Sequence, residues 1–191
     1  MPITLRPAAP VSDEEPMRLS EQNRPCKVER NKDGELTLMT SVGGIGGTRE
    51  KYVDGVLFIW TENDGTGIDF GPNTGFNLPG GSCLAPDAAW MALDRRNALT
   101  QEQKAGYPPL CPDFVIEIRS RTDPRRIVEA EMQTWLDNGA RLAWLIDPID
   151  GSVTIYRPGQ TPETLDRPEN IKGEGPVAGF ELRCTRLWSP R

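Results

Sequence analysis

The most regular hydrophobic pattern lies in residues 111–148 and predicts a strand, a helix and a second strand. The first strand, over 114–118, is apolar and β-favouring except for Glu117. Because side chains alternate along a strand, we expect Val115, Glu117 and Arg119 on one face. A carboxylate among buried neighbours needs a cation, a metal or several hydrogen-bond donors. Glu117 is therefore the first candidate for a functional residue.

The helix of this stretch carries a second acidic residue in an unexpected place. Asp123 and Pro124 are typical of an N-cap and a first helical residue, and Gly139 marks the end. Apolar side chains recur every three or four positions on the inward side, and Glu131 falls among them. Glu131 therefore either reaches the rim of the core or faces the same cavity as Glu117.

Shorter patterns on both sides of this stretch predict further strands and helices. In chain order they are a loose arm over 1–10, a short helix over 13–19, a hairpin with strands at 27–30 and 35–39, a helix over 48–62, short strands at 68–70, 76–78 and 85–93, a helical turn at 101–105, strands at 142–146 and 153–156, a loop over 158–175 and an edge strand over 180–187. Together they predict a single α/β domain over residues 1–191 with an N-terminal β-hairpin.

The composition limits the chemistry and the location of the protein. The chain has no histidine, which excludes Ser-His and Cys-His nucleophilic sites and His-ligated zinc. Its four cysteines are widely spaced, so reduced thiols in a cytoplasmic protein are expected. No segment is apolar enough to span a membrane.

The net charge of −6 opposes non-specific adhesion to nucleic acid but is compatible with a local basic groove. The alternative is that most arginines are ordinary solvated surface charges. The arginines that could line such a groove are Arg24, Arg30, Arg49, Arg119, Arg121, Arg125 and Arg126.

Two acidic residues lie on otherwise apolar, strand-like segments. They are Asp87 in LAPDAAW and Glu117 in FVIEI. Converging carboxylates are what a hard divalent cation such as Mg²⁺ requires, and such a cation can orient a water molecule at a phosphoryl group. Asp113 is a third acid near the strand, but after Pro112 it is more typical of an ordinary turn residue.

Several separated segments resemble, in the same order, the Uma-type family of PD-(D/E)XK nuclease-like proteins, which are bacterial and usually described as restriction endonucleases. The segments are FGPNTGFNLPGGSCLAPDAAW (70–90), YPPLCPDFVIEIRS (107–120), MQTWLDNGARLAWLIDP (132–148) and VTIYRPGQ (153–160). The resemblance implies a restriction-endonuclease-like core with a mixed central sheet flanked by helices. It also implies phosphodiester cleavage with Mg²⁺ or Mn²⁺, in which Asp87 and Glu117 match the aspartate and glutamate of the family motif.

The sequence departs from this family at two positions. Relatives usually carry a Lys-Met pair on the helix after the glutamate strand, and here the pair is Glu131–Met132. A lysine there assists deprotonation of water or stabilises developing charge, and glutamate reverses the sign of the charge. Arg119 is a candidate substitute that could clamp phosphate, although its guanidinium cannot act as a base at ordinary pH. Ile45 stands where many relatives have an acid.

Three functions follow from these observations. The first is a Mg²⁺-dependent DNA endonuclease, plausibly a homodimer, with Asp87 and Glu117 on the metal and Arg119 on phosphate. In it Glu131 is either an extra ligand or the change that disables catalysis. The second is a non-catalytic binding module that keeps the fold. The third is a metal-dependent hydrolase of a smaller phosphorylated substrate. Metal binding through Glu117 separates the first function from the second.

Overall fold

A six-stranded mixed sheet forms the centre of the protein and has a helix packed on each face. A computed structural model describes residues 3–24, 26–39 and 41–189. Its helices are α1 (Glu15–Gln22), α2 (Gly44–Asp64), α3 (Leu93–Asn97), α4 (Gln101–Ala105), α5 (Arg125–Asp137) and α6 (Thr185–Trp188). Its strands are β1 (Ile3–Leu5), β2 (Lys27–Arg30), β3 (Leu36–Met39), β4 (Gly67–Phe70), β5 (Phe76–Asn77), β6 (Cys83–Leu84), β7 (Ala88–Ala92), β8 (Phe114–Ile118), β9 (Leu142–Asp147), β10 (Ser152–Tyr156), β11 (Glu163–Asp166), β12 (Asn170–Lys172) and β13 (Glu181–Arg183). None of the described helices is long and apolar enough to cross a membrane.

The central sheet has the strand order β11-β10-β9-β8-β7-β4. β8 and β9 run parallel, with Phe114 opposite Leu142, whereas the other neighbouring pairs are antiparallel. A parallel pair needs a long crossover connection, and α5 supplies it. The predicted mixed central sheet flanked by helices is thereby confirmed.

The two faces of β8 bury different side chains. Phe114 and Ile116 pack in the core beneath α2. Val115 packs in the opposite core, with Trp135 of α5. Glu117 bonds to the same tryptophan, so it faces α5 as the alternation along the strand predicts.

A second sheet carries the N-terminal hairpin and lies beside the start of β7. Its strand order is β1-β3-β2-β6-β5, and β2 and β3 form the predicted hairpin, with Gly34 at a φ of 81° in the turn. β2 also pairs with β6 through Arg30 and Cys83. Because β6 ends at Leu84, the hairpin is held close to the segment that leads to Asp87.

Two predictions need correction, one about the start of α5 and one about the N-terminal arm. Asp123 is not the N-cap of α5, because its Oδ2 accepts a hydrogen bond from the Ser120 N–H at 3.2 Å and closes the preceding turn. Pro124, with extended backbone, is the N-cap instead. The predicted loose arm over 1–10 contains β1, which pairs with β3.

The C-terminal region also contains more regular structure than predicted. The predicted loop over 158–175 includes β11 and β12, and the predicted edge strand over 180–187 divides into β13 and α6. β11 is an edge strand with three of its four residues exposed, so it lacks the apolar alternation by which a strand is recognised in a sequence.

Phe114 is expected to be a major contributor to the stability of the central core. It is fully buried, and its ring meets Trp144 edge to face at a centroid distance of 4.9 Å. Phe114→Ala should lower the free energy of unfolding by about 3–5 kcal/mol, measured by urea denaturation. Phe58→Ala is the matched control, because Phe58 is 50% exposed on α2 and its loss should change stability by about 0.5 kcal/mol or less. Similar losses for the two variants would contradict the described packing.

Candidate active site

Asp87 and Glu117 lie side by side at the same end of the neighbouring strands β7 and β8. In the antiparallel pair of β7 and β8, Ala88 is opposite Ile116, so the residue before Ala88 lies beside the residue after Ile116. Asp87 Oδ2 accepts a hydrogen bond from the Ile118 N–H at 2.7 Å. This bond orients the carboxylate.

Glu117 is buried and oriented by a tryptophan of α5. Its exposure is 8%, and its Oε1 accepts a hydrogen bond from Trp135 Nε1 at 3.0 Å. Trp135 is itself fully buried, so the donor is held in place by packing. Burial raises the pKa of Glu117 well above its ordinary value, and the negative charges of Glu131 and Asp87 raise it further.

Glu131 is half-buried and lies near Glu117, which favours the second of the two orientations that the sequence leaves open. The negative charge of Glu131 raises the pKa of the Glu117 carboxyl, so the two carboxyl groups lie close together. Burial, together with the negative charges of Glu29 and Asp87, raises the pKa of Glu131 to about 8. Near neutral pH the Glu117–Glu131 pair therefore holds a proton.

Lys27 completes this cluster and is a residue that sequence reasoning missed. Its Nζ donates a hydrogen bond to the Ala85 carbonyl at 2.6 Å and lies 3.2 Å from Glu29 Oε1. Glu29 is two residues further along β2, and its Oε1 accepts a hydrogen bond from the Ala85 N–H at 3.0 Å. Lys27 and Glu29 thus bind both backbone groups of Ala85, two residues before Asp87.

Lys27 supplies positive charge to four acidic side chains. Burial alone would lower the pKa of its ammonium group, but the surrounding negative charges outweigh burial and raise it. The ammonium group is therefore protonated at neutral pH. Burial raises the pKa of Asp87 to about 6, although the charge of Lys27 acts in the opposite direction. One ammonium group thus contacts Glu29 and is close enough to Asp87, Glu117 and Glu131 to interact with their charges.

The sequence contains only a weak signal for Lys27. Alternation along β2 places Lys27 and Glu29 on one face of the hairpin. Alternation does not reveal which other strand that face meets. The contact depends on the pairing of β2 with β6, which is distant along the chain.

Arg119 lies near this edge of the sheet but binds other acidic residues. β8 ends at Ile118, so strand alternation does not govern its side chain. Its Nη1 donates to Asp147 Oδ2 at 2.7 Å, and its Nε donates to the Asp123 carbonyl at 3.1 Å. A phosphate would compete with Asp147 for this guanidinium, and the role of Arg119 as a phosphate contact remains a prediction.

Asp113 lies at the opposite end of β8 and has structural partners. It is 1% exposed, its Oδ2 accepts a hydrogen bond from the Ala92 N–H at 3.0 Å, and its Oδ1 lies 2.9 Å from Arg95 Nη1. These contacts agree with its interpretation as an ordinary acid at a strand edge.

The oxygen donors at this edge suit a hard divalent cation. Mg²⁺ in proteins is usually held by one or two carboxylates, while water and substrate phosphate complete its coordination. Asp87 and Glu117 each have one oxygen fixed by an N–H donor and a second that could meet a cation. Within residues 3–24, 26–39 and 41–189, no three acidic or cysteine side chains are grouped as a ready-made metal site. Asp87 and Glu117 are therefore the residues that could hold such a cation.

The mixed sheet and its flanking helices define an α/β protein with a cluster of acidic side chains at one end of β7 and β8. The structure is similar to a crystal structure described as "a putative nuclease belonging to DUF820" from Anabaena variabilis ATCC 29413, with a TM-score of 0.76 and 21% sequence identity over 94% of this chain and 98% of that chain. The model of the Uma2 family, described as "Putative restriction endonuclease", matches residues 13–185. The chain therefore belongs to the Uma2 family, which confirms the resemblance and supports a nuclease function. The search of curated proteins gave no match.

Neutralising Glu131 is expected to stabilise the protein in the absence of divalent cations. Its pKa in the folded protein, about 8, lies above the ordinary value of 4.5. The favourable contribution of the neutral carboxyl is complete below pH 4.5 and is lost as the pH rises towards 8. Glu131→Gln should therefore increase the free energy of unfolding by roughly 1–3 kcal/mol at the upper end of this range and by little at the lower end.

Urea unfolding in EDTA at several pH values measures this effect. Glu21→Gln is the matched control, because Glu21 is exposed on α1 and its replacement should give no comparable dependence on pH. A stabilisation by Glu131→Gln that does not change with pH would contradict the burial of an ionisable Glu131.

Proposed function

We propose that the protein is a metal-dependent DNA endonuclease of the PD-(D/E)XK type in which Lys27 of the hairpin supplies the cationic group. In relatives this group is a lysine on the helix, where this chain has Glu131. The observation that supports the proposal is the Lys27 ammonium group, held by the Ala85 carbonyl and Glu29, close enough to Asp87, Glu117 and Glu131 for their charges to raise its pKa. The positively charged side chain is then on β2 instead of on the helix.

Asp87 and Glu117 would hold the Mg²⁺ or Mn²⁺ ion. A bound divalent cation polarises the phosphodiester and lowers the pKa of an attacking water molecule. The hydrogen bonds from the Ile118 N–H and from Trp135 Nε1 orient the two carboxylates before any ligand arrives. Such supporting bonds are what keep metal ligands in a productive geometry.

Lys27 would stabilise the negative charge that develops on the phosphate during cleavage. Its raised pKa keeps the ammonium group protonated at neutral pH, so it can donate a hydrogen bond to a phosphate oxygen but cannot accept a proton from water. The contacts with Ala85 and Glu29 restrict the side chain and place the charge in advance of the reaction.

Glu131 would support Glu117 instead of contacting the phosphate. Its carboxyl lies close enough to Glu117 for the two to share a proton, and a shared proton would limit the orientations of that ligand. Because its pKa is about 8, Glu131 carries little negative charge at neutral pH and repels an anionic substrate less than an ordinary glutamate would.

A non-catalytic nuclease-fold module is the second candidate function. The presence of Glu131 in place of the lysine of relatives favours it, because an ionised carboxylate would oppose the charge that develops on phosphate. Such a module would not need a divalent cation. The homodimer and the cytoplasmic location remain predictions under either function.

Lys27→Gln should slow cleavage about a hundredfold or more, because it removes the charge that stabilises the transition state. The measurement is nicking of supercoiled plasmid in Mg²⁺ and in Mn²⁺. Lys32→Gln is the matched control, since Lys32 is exposed in the turn of the same hairpin and should keep the wild-type rate. Glu117→Gln and wild-type protein in EDTA should both be inactive.

Two results would contradict the proposal. Equal rates for Lys27→Gln and the wild type, with both proteins folded by circular dichroism, would remove Lys27 from the reaction. An inactive wild type beside an active Glu131→Lys would indicate a nuclease scaffold whose site is switched off. Calorimetric titration with Mn²⁺ then tests the second function, because a pure binding module need not bind the ion.

Moving the lysine from β2 to α5 should restore the activity that Lys27→Gln loses. If the site needs one positive charge and tolerates either element as its source, Lys27→Gln combined with Glu131→Lys should cleave plasmid at least about tenfold faster than Lys27→Gln alone. Initial rates under identical Mg²⁺ concentrations provide the comparison. A double variant no faster than Lys27→Gln would show that the two lysine positions are not equivalent.

A further inference from the structure

Four arginines around the N-terminal half of α2 have no acidic partner within 4.0 Å among the described residues. They are Arg49, Arg121, Arg183 and Arg186. Neighbouring arginines differ, because Arg119 is paired with Asp147 and Arg125 with Asp150. Structural ion pairing therefore does not account for this group of neighbouring arginines in a chain of net charge −6.

Three of these arginines lie where α2 contacts the C-terminal segment. Arg49 Nε donates a hydrogen bond to the Leu187 carbonyl at 2.9 Å. The Tyr52 hydroxyl donates to the Arg183 carbonyl at 2.9 Å, and the Arg186 guanidinium lies 4.6 Å from the centre of the Tyr52 ring. Beside this contact is an open pocket of about 410 Å³ lined by Arg183, Thr185, Arg186 and Ser189.

This basic surface extends to the candidate active site. Arg121 lies in the loop that leaves β8, four residues after Glu117. Burial and the nearby positive charge of Arg121 lower the pKa of Arg49, so the two guanidinium groups are neighbours. Burial raises the pKa of Glu50, and the charge of Lys27 opposes that rise, so this turn of α2 also adjoins the acidic cluster.

We propose that Arg49, Arg121, Arg183 and Arg186 form the surface that binds the DNA backbone beside the cleaved phosphodiester, and that the pocket holds one backbone phosphate. This inference rests on the proposed nuclease function. Guanidinium groups bind phosphate through paired N–H donors, and the hydroxyl groups of Thr185 and Ser189 add further donors. Because the rest of the protein is acidic, a polyanion is repelled elsewhere and attracted along this surface.

The test is the salt dependence of DNA binding by the full chain. Fluorescence anisotropy of a labelled duplex of about 20 base pairs, in EDTA to prevent cleavage, gives the affinity at several salt concentrations. Arg121→Gln combined with Arg186→Gln should reduce the slope of log affinity against log salt by about two, since each phosphate contact contributes about 0.9. At about 0.1 M salt the affinity should fall about tenfold or more.

The matched control removes two arginines from the opposite ends of the central strands. Arg96 is on α3, which follows β7, and Arg141 directly precedes β9, so both lie at the edge opposite Asp87 and Glu117. Arg96→Gln combined with Arg141→Gln makes the same change in net charge and should leave slope and affinity close to those of the wild type. A similar loss in the control would show a general charge effect and overturn the proposed surface.

Plasmid cleavage measured in parallel separates this inference from the proposed function. A wild type that cuts DNA, beside an Arg121/Arg186 variant with unchanged salt slope, overturns the surface and leaves the nuclease in place. A wild type that binds duplex through these arginines without cutting supports the surface and overturns the nuclease. A wild type that does not bind the duplex overturns the surface.

Discussion

The ammonium group of Lys27 joins the hairpin sheet to the central sheet, and the order of the acidic cluster depends on that contact. With Glu29, it binds both backbone groups of Ala85, so the chain enters β7 with Asp87 in a defined position. The Asp87 carboxylate in turn bonds to the end of β8, and Glu117 on that strand bonds to α5. Without the ammonium group, several acids would remain in a region of low dielectric without a counter-charge, which is costly. The hairpin is therefore part of the site and not only an appendage of the fold.

The cluster also explains how an acid can occupy the helix position at which relatives have a lysine. Coulomb interactions depend on distance and dielectric, and not on which element carries the charge. The charge of Lys27 on β2 opposes the rise in the pKa of Asp87 and Glu117, and in the proposed nuclease it would remove the requirement for a positive charge on α5. Glu131 can then share a proton with Glu117, which reduces the repulsion between the two acids. The balance of charge among β2, β8 and α5 therefore describes this site better than the residue at one motif position does.

Sequence patterns could predict the central sheet and three residues of the cluster, namely Asp87, Glu117 and Glu131. The apolar strand around Glu117, the crossover helix and the following strand have strong periodicity, and alternation correctly turns Glu117 towards α5. Glu131 is visible as an acid on an apolar helix face. Lys27 is not visible, because its place depends on the pairing of β2 with β6, which is distant along the chain. β11 is not visible, because its exposed residues carry no apolar alternation. Local patterns report burial, whereas contacts between distant elements depend on the complete topology.

Arg119 and Arg121 are two residues apart, but within the part of the chain that the structure describes only Arg119 is held in an ion pair. Arg119 is bound to Asp147, and the next arginine pair, between Arg125 and Asp150, secures the start of α5. The loop between these two anchors is short, so its conformation is restricted at both ends. Arg121 lies within that loop without an acidic partner among the described residues, and its guanidinium can meet a phosphate with little loss of conformational entropy in the backbone. Structural ion pairs thus hold in place the loop that presents a basic side chain to the proposed DNA surface.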